Sequence, residues 1–419
     1  MFSSRDGILL IEEVGFEEIV EKTGTPVYIT SRKKLEENIR VFRENFGFAR
    51  MLYAVKANNN LTIMRIFAKY GFGADVFSLG ELYLALLAGF DRNFILFNGN
   101  SKSDEEIEAG IRAGVKFSVD SLDELYTISE IAQNCGREVK IAFRVNPDIG
   151  AETHPKIATG LKTSKFGIPA EQILEAYEVA VQADGVVPAG IHCHIGSQIR
   201  DVEPFVDELE KMFEIASELE KLGVRLEFLD MGGGFGIDYE EDGECRVEKF
   251  AQPLRKTFER GLQMLKSEPE LWIEPGRSLV ANTTILLTRV NAVKKAHRNF
   301  VAVDAGFNLL IRPAMYDSYH RVAVANKMGM PAEELYTIAG PICESGDILA
   351  KDRKLPKVEK GDYIAVFDAG AYGFAMSSQY NGRPRCAEVL VDGGSFHITR
   401  EKETVGDLIA KQRIPEELF

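Results

Sequence analysis

The sequence predicts a (β/α)₈ barrel joined to a second, mostly β domain that also takes in the N-terminal strands. Three observations predict this architecture: the chain length, a series of short apolar runs alternating with helical patterns, and a change to strand-like runs after about residue 280. The chain has 419 residues, which suggests two or three domains at about 150 residues each, and one barrel alone takes about 250.

The predicted barrel strands are rich in Val, Ile, Leu and Phe, as expected for strands buried on both faces. They are Met51–Val55, Ala74–Phe77, Phe94–Phe97, Phe117–Val119, Ile141–Val145, Val187–Ile191, Leu226–Leu229 and Leu271–Ile273. Apolar residues at three- and four-residue spacing between these runs indicate amphipathic helices. An open, doubly wound sheet shows the same alternation and is the alternative. We place the barrel at residues 30–278.

Residues 279–419, together with 1–29, form the predicted β-rich domain. Gly, Pro, Asn and Asp clusters separate its strand-like runs, which is typical of an all-β domain. These runs are Thr284–Val293, Phe300–Val303, Tyr336–Ile338, Tyr363–Phe367 and Ala387–Val391. The N-terminal runs Ile8–Ile11 and Val27–Ile29 precede the first barrel helix, predicted at Ser31–Phe46. We expect them to pair with the tail, which would make this domain discontinuous.

The composition excludes several classes of protein. The net charge of −14 and the absence of a basic run argue against nucleic-acid binding, because phosphate contacts need concentrated positive charge. No apolar stretch approaches the roughly 18 residues that span a bilayer, and the charged first twenty residues lack a signal-peptide core. Five widely spaced cysteines fit a reducing compartment. We expect a cytoplasmic protein that binds neither nucleic acid nor membrane.

Polar residues cluster where the predicted strands end, and these ends form the active face of a barrel. Strand one runs into Lys56 and strand two contains Asp75, while strand eight ends in the segment Glu274-Pro275-Gly276-Arg277. A lone lysine at a strand end is usually solvated. In a partly desolvated barrel mouth, however, its pKa falls and the amine can form a Schiff base.

Two further strand ends carry candidate chemistry. Gly232–Gly236 follows strand seven, where barrels often bind phosphate through backbone N–H groups. His192 and His194 at the end of strand six lie on one face of a strand, so a metal-dependent hydrolase is an alternative. Two ligands alone make a poor zinc site, and we therefore expect no metal. We prefer His194 as a ring stacked on a flat cofactor, with Ser197 donating to a phosphate.

Glu274 and three loop clusters of the tail complete the candidates. A carboxylate at Glu274 can hold a pyridine nitrogen protonated, which strengthens a pyridoxal ring as an electron sink. The tail clusters are 312–316 (RPAMY), 340–347 (GPICESGD) and 368–373 (DAGAYG). Arg and Tyr side chains in such loops can bind a carboxylate.

Seven segments, taken together and in this order, resemble the diaminopimelate decarboxylases of the alanine-racemase-like, fold-type III pyridoxal-phosphate enzymes. They are YAVKAN, HCHIGSQ, GGGFG, EPGR, RPAMY, PICESGD and DAGAYG. The resemblance covers about residues 25 to 405. It implies a pyridoxal 5′-phosphate cofactor and a homodimer with shared active sites.

Residue by residue, the resemblance implies three groups of site residues. Lys56 would hold the cofactor as a Schiff base, and Cys343 would be the proton donor, reaching the site from the partner subunit. The expected cofactor-binding residues are Lys56, Asp75, His194, Ser197, Gly233, Gly234, Glu274, Pro275, Gly276, Arg277 and Tyr372. The expected substrate-binding residues are Arg277, Arg312, Tyr316, Glu344 and Tyr372.

The implied reaction is decarboxylation of meso-2,6-diaminopimelate to L-lysine and CO₂, the last step of lysine biosynthesis. The zwitterionic far end of this substrate needs an anion and cations, which Glu344, Arg277 and Arg312 would supply. Alternatives are a decarboxylase of ornithine, arginine or carboxynorspermidine, a non-catalytic regulator that keeps the fold, and a racemase, which Glu274 disfavours.

Overall fold

The computed structural model describes residues 1–150, 164–241 and 243–419. The strands are β1 (Phe2–Arg5), β2 (Ile8–Ile11), β3 (Val14–Gly15), β4 (Val27–Ser31), β5 (Ala49–Ala54), β6 (Gly73–Val76), β7 (Ile95–Phe97), β8 (Lys116–Val119), β9 (Val139–Asn146), β10 (Ile168–Pro169), β11 (Val186–Cys193), β12 (Phe228–Asp230), β13 (Glu270–Ile273), β14 (Thr284–Lys295), β15 (Asn299–Val303), β16 (Val322–Val324), β17 (Glu334–Ala339), β18 (Ile348–Leu355), β19 (Tyr363–Val366), β20 (Ala387–Asp392) and β21 (Ser395–Arg400).

The helices alternate with strands in the first two thirds of the chain. They are α1 (Phe16–Thr23), α2 (Arg32–Asn45), α3 (Leu61–Lys69), α4 (Leu79–Ala88), α5 (Asp104–Ala113), α6 (Leu122–Cys135), α7 (Ile173–Gln182), α8 (Glu203–Lys221), α9 (Val247–Leu262), α10 (Arg277–Val280), α11 (Arg312–Tyr316) and α12 (Val405–Ile409). None of the helices in these described ranges is both long and apolar enough to cross a bilayer.

Contacts divide the chain into two units. The barrel unit comprises residues 38–237 and 245–278, and the β unit comprises residues 1–37, 238–244 and 279–419. The division into domains of residues 30–278 and of residues 1–29 with 279–419 stays a prediction.

The barrel unit is a closed parallel sheet. Its strands follow the order β9-β11-β12-β13-β5-β6-β7-β8, and β8 pairs with β9 to close the ring. Helices α3 to α9 follow successive barrel strands, so that strands and helices alternate along the chain. The predicted (β/α)₈ barrel is therefore confirmed, and the open-sheet alternative is wrong because the edge strands pair with each other.

Apolar side chains from six strands fill part of the barrel interior. The cluster consists of Leu52, Leu96, Ala142, Ala189, Phe228 and Trp272. The rings of Phe228 and Trp272 are stacked, with centroids 4.0 Å apart. Burial of such large side chains contributes on the order of 2 kcal/mol each, and it leaves the polar strand ends free for a site at the other face.

The β unit is built around a long sheet with the order β18-β17-β15-β14-β4-β20-β21. The N-terminal strand β4 lies between β14 and β20, antiparallel to the first and parallel to the second. The expected pairing of Val27–Ile29 with the tail is therefore confirmed. The expected pairing of Ile8–Ile11 with the tail is wrong, because β2 pairs with its neighbours β1 and β3 in a separate three-stranded sheet. One apolar core of the β unit includes Leu9 and Ile11 of β2 together with Ile285 and Leu287 of β14.

Candidate active site

Every strand of the barrel contributes a polar residue at or near its C-terminal end. In strand order along the chain these residues are Lys56, Asp75, Asn98, Ser118, Arg144, His192, Asp230 and Glu274. All except the half-buried Lys56 are buried. We call these residues the polar ring. Buried charges are costly unless they are paired and hydrogen-bonded, so a cluster of this kind indicates a functional site.

Lys56 lies on a single 3₁₀ turn, Val55–Ala57, that follows β5 directly. Its Nζ contacts Oδ2 of the fully buried Asp75 and lies 4.5 Å from the ring centroid of Phe77. The Lys56 side chain keeps 32% of its exposure, whereas the Asp75 side chain has none. The amine is thus fixed on one side by a carboxylate and is accessible to a ligand.

Asn98 connects the two buried acids of the ring. Its Nδ2 donates to Oδ1 of Asp75 at 2.5 Å and to Oε1 of Glu274 at 2.8 Å. Burial raises the pKa of Asp75, the charge of Glu274 raises it further, and Lys56 opposes both effects. The contacts form a continuous chain from Lys56 through Asp75 and Asn98 to Glu274.

Glu274 is held as an anion. Burial raises the pKa of its carboxyl, but the opposing influence of His192, Lys56 and His194 lowers it to about 2. His192 faces it with Nε2 3.8 Å from Oε2, while Nδ1 of His192 lies 2.7 Å from Oγ of Ser118. Glu274 therefore carries a negative charge at neutral pH in a site closed to bulk water.

Asp230 behaves in the opposite way to Glu274. Burial and then the Glu274 charge raise the pKa of Asp230 well above its usual range, and its Oδ1 accepts from the Gly232 N–H at 2.9 Å. The environment thus shifts the pKa values of two neighbouring carboxyls in opposite directions, a pattern common at catalytic centres.

The polar ring also contains the one group, among the described residues, that is spaced to bind a metal. One ligand atom from each of His192, Asp230 and Glu274 lies within 4.8 Å of the others. His194 is not part of this group, so the two histidines of the H-x-H pair do not act as joint ligands here. Asn98 contacts Oε1 of Glu274 and Ser118 contacts Nδ1 of His192, so an ion would bind the other atoms of this group. Because the polar ring also offers the amine of Lys56, we develop an organic cofactor as the alternative.

His194 presents a neutral, half-buried ring. Its Nδ1 accepts from the Gly233 N–H at 3.2 Å, which places the ring proton on Nε2. Burial and then the Arg144 and Lys56 charges lower the pKa of His194 well below its usual range. The hydrogen bond from Gly233 holds this neutral imidazole by its edge, which suits the predicted stacking of the ring on a flat cofactor.

The glycine run after β12 is packed closely against the backbone of neighbouring strand ends. A Cβ at Gly233 would lie 2.1 Å from the Glu274 carbonyl oxygen, and one at Gly234, where φ is +107°, would lie 2.5 Å from the Gly196 carbonyl oxygen. Only glycine fits these positions without a shift of the backbone. Beside them, Arg277 donates to Oγ of Ser197 at 2.9 Å.

These observations fit pyridoxal 5′-phosphate. The buried anion of Glu274 suits a protonated pyridine nitrogen, Lys56 offers an amine, and the glycine run with Ser197 offers donors for a phosphate. Pro275 and Gly276 belong to the same strand end, and a Cβ at Gly276 would lie 2.9 Å from the Ala54 Cβ. The barrel unit thus brings together all predicted cofactor-binding residues except Tyr372.

The remaining predicted residues belong to the β unit. Arg312 begins α11 and is buried; it contacts His320 Nε2 at 2.8 Å and donates to Ser318 Oγ at 3.2 Å, and its guanidinium lies 4.5 Å from the Tyr239 ring centroid. Tyr316 ends the same helix. Tyr372 adopts a left-handed conformation with φ of +56°.

Cys343 and Glu344 lie in an exposed turn that a buried aspartate braces. Asp347 accepts from the Ile342 N–H at 2.7 Å and from the Phe307 N–H at 2.6 Å. Its carboxylate approaches Gly306 and Gly340 so closely that a Cβ at either glycine would collide with it. The turn is therefore well defined although Cys343 and Glu344 are exposed.

Sequence reasoning missed part of the polar ring. Four residues at the ends of barrel strands are not among the site residues that the sequence predicts: Asn98, Ser118, Arg144 and Asp230. The available signal was the position itself: a polar residue at the end of a predicted parallel strand. His192, an alternative metal ligand in the sequence analysis, faces Glu274 and belongs with it to the group that is spaced for a metal.

Comparisons with known proteins show the family of this chain. A family model described as "Pyridoxal-dependent decarboxylase, pyridoxal binding domain" matches residues 32–281. A diaminopimelate decarboxylase from Archaeoglobus fulgidus is 67% identical over 419 residues, covering 100% of both chains.

Two solved structures extend the similarity to the whole fold. A crystal structure of diaminopimelate decarboxylase from M. jannaschii is 40% identical with a TM-score of 0.94, covering 100% of this chain and 99% of that one. A structure of diaminopimelate decarboxylase from Helicobacter pylori complexed with L-lysine is 38% identical with a TM-score of 0.88, covering 94% of this chain and 98% of that one.

Proposed function

The chain belongs to the pyridoxal-dependent decarboxylases and, within them, to the diaminopimelate decarboxylases, and we propose on that premise that it converts meso-2,6-diaminopimelate to L-lysine and CO₂ as the last step of lysine biosynthesis. The observation that carries the proposal is the hydrogen-bonded chain from Lys56 through Asp75 and Asn98 to the ionised Glu274. It places an amine and a permanent buried anion on one polar network.

Pyridoxal phosphate, when bound, supplies the electron sink that accepts the electron pair left by the departing carboxyl group. Lys56 would hold the cofactor covalently through Nζ, with Asp75 orienting that nitrogen. Glu274 would keep a proton on the pyridine nitrogen. Because this carboxylate is buried and ionised, its attraction for that proton is stronger than it would be in water.

The other cofactor contacts would fix the position of the ring and phosphate. His194 would pack against the ring face, and the backbone N–H of Gly234 would donate to a phosphate oxygen. Gly233, whose N–H donates to His194, would line the same turn. Ser197, with the Pro275–Arg277 segment, would complete this set, and Tyr372 would add a contact from the β unit. Positioning of this kind would orient the carboxyl group that is lost.

Charge explains the choice of substrate. The distal end of meso-diaminopimelate carries an ammonium and a carboxylate. Glu344 would bind the ammonium, and Arg277, Arg312 and Tyr316 would bind the carboxylate. Arg312 is well suited because His320 and Ser318 already fix its guanidinium plane. A site built for both groups rejects an analogue lacking one of them by about 10⁴–10⁵-fold.

The reaction replaces the lost carboxyl with a proton. Cys343 would hold that proton at Sγ and deliver it to the substrate α-carbon after CO₂ has left. Its exposure in the isolated chain suits a residue that acts in an assembly. We propose a homodimer in which the turn carrying Cys343 and Glu344 serves the barrel of the second copy, and a cytoplasmic location, which cell fractionation tests.

Subunit mixing tests the shared site. Lys56→Ala and Cys343→Ala subunits are inactive alone in this proposal. Reassembled together at equal amounts, they should regain about one quarter of the wild-type rate, because half of the dimers are mixed and each mixed dimer has one intact site of two. Activity that does not return on mixing, although the mixed dimers form, would contradict the shared arrangement.

Substrate choice tests the proposed function directly. Purified protein supplied with pyridoxal phosphate should release CO₂ from meso-diaminopimelate and form L-lysine, with at least about 10³-fold lower kcat/KM for ornithine, arginine and carboxynorspermidine. Release from ornithine but not from diaminopimelate would reject the assignment. No release from any of them would instead favour a non-catalytic regulator.

The same assay with a metal chelator distinguishes the proposed pyridoxal-phosphate enzyme from a metal-dependent enzyme. The proposed chemistry uses an organic electron sink, so added chelator should leave the rate unchanged. A loss of activity that zinc restores would show that the group formed by His192, Asp230 and Glu274 binds a functional metal.

A further inference from the structure

Asn381 holds Cys343 by both ends of its amide. The Cys343 backbone N–H donates to Oδ1 of Asn381 at 3.0 Å, and Nδ2 of Asn381 donates to the Cys343 Sγ at 3.1 Å. Because a backbone N–H must face an acceptor, the first contact fixes which end of the amide is oxygen. The second contact is therefore an N–H directed at sulfur.

Tyr380, the preceding residue, holds the other side of the same turn. Its hydroxyl donates to Oε1 of Glu344 at 2.8 Å, and its ring stacks on Phe307 with centroids 5.8 Å apart. The Glu344 carboxylate, with Cys343 nearby, raises the pKa of Tyr380 to about 12, so the hydroxyl keeps its proton and remains a donor at neutral pH.

The backbone of this segment is specialised for the contact. Tyr380–Gly382 forms a 3₁₀ turn in which Asn381 has φ of +58°, in the left-handed region that asparagine, aspartate and glycine adopt most readily. This conformation directs the Asn381 amide at a turn that lies 38 residues earlier in the chain. The buried Asp347 braces that earlier turn from the other side.

We propose that Asn381 and Tyr380 are positioning residues, Asn381 for the sulfur of Cys343 and Tyr380 for the carboxylate of Glu344. The inference rests on the proposed roles of those two residues. An N–H donor at sulfur can accompany the charge that forms when the thiol gives up its proton, so Asn381 holds Sγ in one orientation for that transfer. Tyr380 fixes the carboxylate that receives the distal ammonium.

The two contacts of Asn381 can be separated by substitution. Asn381→Gly removes both contacts and tolerates the positive φ. Asn381→Asp also tolerates it and keeps the acceptor for the Cys343 N–H, but it loses the donor to sulfur. Tyr380→Phe keeps the ring on Phe307 and removes only the hydroxyl. Asp6→Gly, an exposed residue with φ of +51°, is the matched control.

Alkylation of Cys343 by iodoacetamide is the first measurement, followed on its tryptic peptide by mass spectrometry in cofactor-free protein. Cys343 is the exposed one of the five cysteines. The rate should fall about threefold to tenfold in both Asn381 variants and stay unchanged in Asp6→Gly and Tyr380→Phe. In the decarboxylation assay, kcat should fall about tenfold in the Asn381 variants with little change in KM.

Tyr380→Phe should affect substrate binding and not turnover: KM for meso-diaminopimelate should rise about threefold to tenfold, with kcat nearly unchanged.

An unchanged or faster alkylation in Asn381→Gly, or wild-type alkylation in Asn381→Asp, overturns the role of Asn381. Thermal melting identifies a variant that fails to fold, and Asn381→Asp then carries the test. If wild-type protein releases no CO₂, the proposed function fails, while the alkylation rates still decide this inference.

Discussion

Replacing Lys56 with alanine is expected to abolish decarboxylation of meso-diaminopimelate, with a loss on the order of 10³-fold or more. Lys56 is the amine that contacts Asp75 at the barrel mouth, and no other residue of the polar ring offers a lysine. The variant should also lack the cofactor-dependent visible absorbance of the wild type. Steady-state rates and an absorbance scan of the purified protein check both results.

Lys69→Ala is the matched control for this variant. Lys69 ends α3 in the same unit and is exposed, so its loss should change neither the rate nor the absorbance. Wild-type turnover by Lys56→Ala, with normal turnover by the control, would contradict the role of Lys56. Far-UV circular dichroism establishes that both variants are folded.

Glu274→Gln is expected to give the second large loss, about 10²–10³-fold in kcat. The amide fits the same space and still accepts from Asn98, but it carries no charge to keep a proton on the pyridine nitrogen. His192 also loses its anionic neighbour. The measurements are kcat and the dissociation constant of pyridoxal phosphate, obtained by titrating cofactor-free protein.

Glu208→Gln tests whether charge, and not merely a change at a buried glutamate, causes that loss. Both carboxyl oxygens of Glu208 are buried without a hydrogen-bond partner in the described part of the chain, and burial raises the pKa of Glu208 well above its usual range. Burial already disfavours the charged form of this acid, so the amide should retain most of the wild-type rate. Equal losses in Glu274→Gln and Glu208→Gln would contradict the charge argument.

The barrel could be predicted because its strands are buried on both faces and read as apolar runs. Leu271–Ile273, for instance, is predicted within one residue of β13. The β unit was less visible. β18 (Ile348–Leu355) was not predicted because its second half carries Lys351, Asp352, Arg353 and Lys354, as an edge strand with a solvated face does. β21 at the opposite edge was missed for the same reason.

The acids and bases of the site were accessible from sequence, but their connections were not. Asn98 and Ser118 have ordinary side chains, and their roles depend on which neighbour each strand end meets across the barrel. Asn98 bridges Asp75 and Glu274, and its hydrogen bond to Glu274 joins residues that are 176 positions apart in the sequence. Whether the pKa of a buried carboxyl is lowered, as at Glu274, or raised, as at Asp230, also depends on these neighbours.

The β-unit residues were predicted by resemblance rather than by pattern. Nothing local to the turn 340–347 identifies Cys343 as a proton donor, since a single cysteine is usually a small apolar residue. Asn381 has no sequence signal at all, because its contacts require the fold to bring two distant turns together.

The most direct test of the account is a peptide map of the wild-type protein after loading with pyridoxal phosphate and reduction with borohydride. The account predicts one cofactor per chain, attached to the peptide that contains Lys56, and its loss when meso-diaminopimelate is added before reduction. Folded protein that carries the label on another lysine, or that carries none while Lys56 stays unmodified, would contradict it.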